Sequence, residues 1–132
     1  MRTNPPLRTI DANFNRFKEG IRVVEDILRY ELNSPLAKEL KNLRHIKIPN
    51  YLEVIKQRDA QNDILKPSTK SEQTRKSLED IIISNLKRAQ ESARVLEEVY
   101  KLDDIKTSEE FKNARYKLYT LEKEILLLIQ NI

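Results

Sequence analysis

Arg58, Asp59 and Asp63 stand where a helical pattern gives way to a polar loop. An arginine to hold a phosphate, with two carboxylates to share Mg²⁺, is a workable arrangement for phosphoryl transfer. A second group of polar residues is written twice. The stretch NFNRFKEGIRVVEDI at 13–27 returns as NLKRAQESARVLEEV at 85–99, with Asn13/Asn85, Arg16/Arg88, Glu19/Glu91, Arg22/Arg94, Val23/Val95 and Glu25/Glu97 identical at a constant offset. A shorter echo comes after each copy, LKNLRH at 40–45 and FKNARY at 111–116, which matches Arg44 and His45 with Arg115 and Tyr116.

On a helical wheel at about 100° per residue, Asn13 and Arg16 fall within the apolar arc that holds Phe14, Phe17, Ile21 and Val24; Asn85 and Arg88 take the same places in the second copy. An arginine or asparagine drawn into an apolar arc needs a partner or a ligand. Two outcomes are open. Arg16 and Arg88 pair across the copies with Glu97 and Glu25 in a buried polar layer, or they present planar donors to a phosphate or carboxylate. Glu19, Arg22, Glu91 and Arg94 have the spacing of surface ion-pair ladders. His45 is the only histidine, and its match to Tyr116 favours a ring chosen for shape over an imidazole chosen for its acidity. The chain has no GxxxxGK[ST] loop, no HExxH and no Cys/His ligand cluster.

These residues require helices to position them. Phe14, Phe17, Ile21, Val24 and Leu28 form a three-four seam, so a helix is expected from near Ala12, capped by Asp11, to about Leu32. Ser34-Pro35 starts a second helix over 35–47, and a short amphipathic one comes next at 51–58 with Leu52, Ile55 and Tyr51 toward the core. The polar segment 59–71 reads as a loop of the length that ligand loops have. A long helix from Ser71 or Thr74 to Lys101 carries Leu78, Ile82, Leu86, Ala89, Ala93, Leu96 and Tyr100. The last helix starts at a Thr107/Glu110 capping box and runs to the C-terminus with Phe111, Ala114, Leu118, Leu121, Ile125 and Leu128 inward. The expected fold is all-α, a bundle of about five helices with an internal pseudo-twofold duplication, in one domain whose halves are about 11–48 and 83–120.

Composition agrees. The chain has 132 residues, one glycine, five prolines and no cysteine, which favours a single helical domain without disulfide or redox chemistry. Its net charge of +4 comes from 25 basic and 21 acidic side chains that are interleaved, a pattern that argues against a nucleic-acid surface and leaves small anions as partners. The N-terminal MRTNPPLRTID lacks the apolar core of a signal peptide, and no apolar run reaches the ~18 residues of a membrane span, so a cytoplasmic protein is expected. ILLLI at 125–129 is apolar on every side, which implies an interface, either a homo-oligomer seam or a junction to another domain.

DANFNRFKEGIRVVED at 11–26, LRH at 43–45, RDxxxD at 58–63, NLKRAQESARVLEE at 85–98 and KNARYKLYTLE at 112–122 resemble the monofunctional hydroxymethylpyrimidine phosphate kinases of thiamin biosynthesis. That family consists of small helical domains found alone or fused ahead of thiamin-phosphate synthase. The resemblance implies transfer of the γ-phosphate of ATP, with Mg²⁺, to hydroxymethylpyrimidine monophosphate. It carries over Asn13, Arg16, Glu19, Arg22, Glu25, Arg44, His45, Arg58, Asp59, Asp63, Asn85, Arg88, Glu91, Arg94, Glu97 and Arg115 as the family's polar positions. On it, Arg16, Arg88, Arg44 and Arg58 are expected on phosphates and Asp59 and Asp63 on the metal. Glu25 or Glu97 is expected to hold the pyrimidine amine or take the hydroxyl proton. The sequence departs from the family after Arg58-Asp59, where RDAQNDILKPST stands for a loop that reads like RDTxGDVGT, and it stops where fused relatives continue, as a standalone enzyme or one domain of a longer one would. The competing expectation is a non-catalytic helical module that docks on thiamin-phosphate synthase or dimerises through its C-terminal helix.

Overall fold

The computed structural model describes residues 4–131. Residues 1–3 of the stretch read as lacking a signal peptide, and Ile132 of the expected C-terminal helix, lie outside the described residues. The described chain is all-α, without a strand: α1 Leu7–Asp26, α2 Leu36–Arg44, α3 Tyr51–Ile55, α4 Lys70–Gln73, α5 Leu78–Tyr100 and α6 Ile105–Gln130. No helix among these residues is long and apolar enough to cross a membrane.

The two long seams do what their spacing predicts. Phe14, Phe17, Ile21, Val24 and Leu28 meet Ile82, Leu86, Ala89, Ala93, Leu96 and Tyr100 in one core, closed by Leu40 and Leu43 of α2 and by Phe111, Leu118, Leu121 and Ile125 of α6. α1 and α5 form the central pair, α2 packs on α1, and α6 on α5. Gly20 lets the central helices approach, since a Cβ there would lie 2.8 Å from the Asn85 carbonyl oxygen. Phe17 and Phe111 meet edge to face at 5.4 Å, the favoured geometry of an aromatic pair.

Several boundaries differ from expectation. α1 starts at Leu7, directly after Pro5 and Pro6, so Asp11 lies inside the helix and is buried instead of capping it. The helix ends in a π-turn, Ile27–Glu31, and Asn33 takes the left-handed conformation that breaks the chain direction. In α3 the buried residue is Val54; Tyr51 and Leu52 face out, because the helix is only five residues long and offers one side chain to the core. The segment expected to open α5 instead forms the one-turn α4 with a Thr69/Glu72 capping box. α5 then begins after Ser77, whose hydroxyl accepts from the Asp80 N–H at 3.1 Å, and Leu78 is left half exposed. α6 is capped by Asp104, not Thr107: the Asp104 carboxylate accepts from the Thr107 N–H at 3.0 Å and from its hydroxyl at 2.8 Å, and Thr107 is buried.

Candidate functional site

The N-terminal half of α1 and the segment after α3 enclose an open cleft of about 610 Å³. Because α1 begins at Leu7, its polar side presents Arg8, Asn15, Arg16 and Glu19 to the cleft, with Asp11 and Asn13 at the margins of the buried face. The opposite wall is Arg58, Asp59, Ala60 and Asp63. One ion pair joins the walls. Arg58 donates through Nε and Nη2 to the two oxygens of Asp11 at 2.9 and 2.8 Å, a two-pronged contact that fixes the guanidinium plane. Asp11, and after it the Tyr51 hydroxyl, raise the Arg58 guanidinium above its ordinary value. Arg8 adds a second tie, donating to the Asp59 carbonyl oxygen at 3.0 Å.

The loop carboxylates are shaped by the loop itself. Both oxygens of Asp59 accept from the Asn62 amide, at 3.0 and 2.8 Å, and that amide, with the Asn62 N–H and the charge of Arg8, holds the Asp59 carboxyl below its ordinary value. Asp63 accepts from the Leu65 N–H at 2.9 Å. Both lie on the cleft wall. No group of three or more carboxylates or histidines suited to a metal is assembled among the described residues. Two carboxylates suit Mg²⁺ that arrives bound to phosphates and keeps several waters, and would not make a closed protein cage.

Arg16 differs from its neighbours. It is exposed, lines the cleft, and has no hydrogen bond or ion pair among the described residues. The expected cross-copy layer is not formed: Glu25 and Glu97 are buried, but their partners are the arginines of the shorter echo and, for Glu97, also Arg94 of its own helix. Arg44 donates to Glu25 at 2.6 and 3.2 Å; Arg115 donates twice to one oxygen of Glu97, at 3.2 and 2.9 Å, and Arg94 takes the other at 3.0 Å. α2 packs on α1 and α6 on α5, which delivers Arg44 and Arg115 to those carboxylates before any residue of the other copy. With their oxygens held and their side chains out of solvent, Glu25 and Glu97 are clamps between helices; neither lines the cleft. Asn13 and Asn85 each donate to a carbonyl one turn back in their own helix, Thr9 and Ile81, both at 2.9 Å.

The cleft therefore brings together Asn13, Arg16, Arg58, Asp59 and Asp63. Arg44 and His45 line a neighbouring cleft. Asn85 and Arg88 lie on α5, where the charge of Arg88 reaches Glu72 of α4. Asp11 and Arg8 are cleft residues that the wheel did not single out. The signal was present: Leu7 and Ile10 continue the three-four seam back to Pro5–Pro6, and proline favours the first turn of a helix.

The ThiD2 family model matches residues 8–124, from Arg8 of the cleft through Arg115. The chain belongs to the ThiD2 family. It is 42% identical over 120 residues to a protein of Prochlorococcus marinus named thiamine-phosphate synthase, covering 89% of this chain and 34% of that one. A Synechocystis protein of the same name is 38% identical over 122 residues, 90% of this chain and 36% of the relative. One from Rhodopirellula baltica is 34% identical over 128 residues, 92% and 34%. The ThiD2 chain thus spans about a third of the length of these relatives. No solved structure matches it.

Proposed function

We propose that this ThiD2 chain is a kinase of thiamin biosynthesis, acting in the cytoplasm, that phosphorylates hydroxymethylpyrimidine monophosphate to the diphosphate with ATP as the donor. The observation that carries the reading is the cleft itself: Arg16, without a partner among the described residues, beside Arg8 and Arg58, facing Asp59 and Asp63. An arginine held open toward carboxylates that suit a metal is what a phosphate bearing Mg²⁺ needs.

Phosphoryl transfer asks chiefly for position and charge. A phosphate oxygen of the pyrimidine substrate forms the new bond to the γ-phosphorus, the bond from that phosphorus to the β–γ bridging oxygen breaks, and ADP leaves with the electron pair. Phosphate monoesters have a second pKa of about 6, so the nucleophile is mostly ionised at neutral pH. No general base is required, and the burial of Glu25 and Glu97 does not impede the mechanism. Arg16 binds the transferring group, Arg58 is held in one orientation by Asp11, and Arg8 holds the loop that carries Asp59 and Asp63. Mg²⁺ held by Asp59 and Asp63 would neutralise phosphate charge.

The test is turnover of the purified chain with ATP, Mg²⁺ and the pyrimidine monophosphate, read through added thiamin-phosphate synthase. Formation of the diphosphate from the monophosphate, and its loss in Arg16→Gln, is expected; a well-folded protein with no turnover would sink the kinase reading.

A second reading rests on the end of α6, where Leu127 is 51% exposed and Leu126, Leu128 and Ile129 are only partly buried. That patch suits a module that docks on thiamin-phosphate synthase or pairs with a second copy. Co-sedimentation with the synthase in a catalytically silent preparation, abolished by Leu127→Glu, would favour it.

A further inference from the structure

Beside the phosphate cleft lies another, of about 520 Å³, large enough for a nucleotide-sized ligand. Its chemistry is different. The first cleft has no aromatic side chain in its lining; the second has Phe14 and Tyr51, set edge to face at 6.2 Å. Its rim is Lys18, Arg44, His45 and Lys47, and no carboxylate lines it. Glu25 already balances Arg44, but Lys18 and Lys47 form no ion pair among the described residues, and the Lys18 ammonium lies 5.2 Å from the centre of the Phe14 ring. An exposed ring beside uncompensated cations is suited to a ligand that is flat at one end and anionic at the other.

The two clefts share a wall. That wall is α1, which presents Asn15, Arg16 and Glu19 to the first and Phe14 and Lys18 to the second. We infer that the second cleft seats the heteroaromatic ring of a phosphorylated ligand against the exposed Tyr51 ring, at the edge of the buried Phe14, with Lys18 and Lys47 on its anionic part, next to the phosphate cleft. The inference rests on the kinase reading only for which ligand this is, because both reactants of that reaction, a nucleoside triphosphate and a pyrimidine phosphate, have this chemistry.

The measurement is binding by fluorescence anisotropy of ADP carrying an N-methylanthraniloyl group on its ribose, and by calorimetry of unlabelled pyrimidine monophosphate, to the full chain. The variants are Lys18→Gln/Lys47→Gln, Tyr51→Leu and Arg16→Gln, each checked for an unchanged melt. Loss of two cationic contacts is expected to weaken one of the two ligands by about tenfold or more, and Tyr51→Leu to weaken the same one. If only the nucleotide responds, the cleft seats the base; if only the pyrimidine phosphate responds, it seats the substrate. Inorganic phosphate is expected to compete weakly. Affinities for both ligands unchanged by the lysine and tyrosine substitutions, or no binding of either, overturn the inference. Turnover separates the two claims: an active enzyme whose ligands ignore these substitutions retains the kinase and loses the ring seat. A binder that responds to them without turning over retains the seat and loses the kinase.

Discussion

Arginine does different work at Arg16 and Arg44, and what separates them is which acceptors lie within reach. Arg16 has none among the described residues and faces the cleft; Arg44 is engaged by the buried Glu25, whose hydrogen bond is the main cause that raises its guanidinium above the ordinary value. Arg16→Gln should therefore change stability by less than about 0.5 kcal/mol while turnover falls by roughly 100-fold or more, the usual size of one lost transition-state contact. Arg44→Ala strands a buried carboxylate and should lower unfolding stability by about 3 kcal/mol; replacing the pair together by Arg44→Met with Glu25→Leu should recover most of it. Urea unfolding reads both. Residue types and spacing were enough to group Arg58, Asp59 and Asp63, which line one cleft. They were not enough for Asp11, whose role depends on Arg58 returning to it from 47 residues away, nor for the partners of Glu25 and Glu97, which are settled by which helices pack together.

The helices themselves were largely legible, because a seam such as Phe17, Ile21, Val24 and Leu28 permits only one buried face. Their ends were less so, since several polar residues in a row can each cap, and the neighbouring fold selects among them. Asp104 won over Thr107 because Thr107 turns inward against the core. The Thr107 N–H and hydroxyl hold the Asp104 carboxyl below its ordinary value. A carboxylate whose folded pKa is depressed contributes stability that is present above the unfolded value, about pH 4, and is lost as pH falls through the folded one. Asp104→Ala should thus cost about 1 kcal/mol at neutral pH, and its melting temperature should converge with that of the parent as the solution is acidified below about pH 4. At the central crossing, Gly20→Ala places a methyl 2.8 Å from the Asn85 carbonyl oxygen. The backbone must shift, and a loss of about 1–3 kcal/mol in chemical denaturation is expected.

At the scale of the whole molecule, two similar sequence stretches end in different surroundings, Arg16 in a cleft with Arg58, Asp59 and Asp63 and Arg88 near Glu72, and the cause lies in the segments that succeed them. α2 stops at Arg44 and yields to α3 and the loop that brings Arg58, Asp59 and Asp63 back to α1. α6 instead continues as one helix to Gln130, so Arg88 has no such loop from its own half and lies near Glu72. In sequence the two copies make Arg16 and Arg88 equals; the structure separates them through a loop whose course no periodicity describes. The decisive measurement is steady-state phosphorylation of hydroxymethylpyrimidine monophosphate by the parent chain, Arg16→Ala and Arg88→Ala, with all three melting alike. The account predicts an active parent, an Arg16→Ala variant reduced by roughly 100-fold or more, and an Arg88→Ala variant within a few-fold of the parent. Equal activity of Arg16→Ala and the parent, or the greater loss at Arg88, would contradict it.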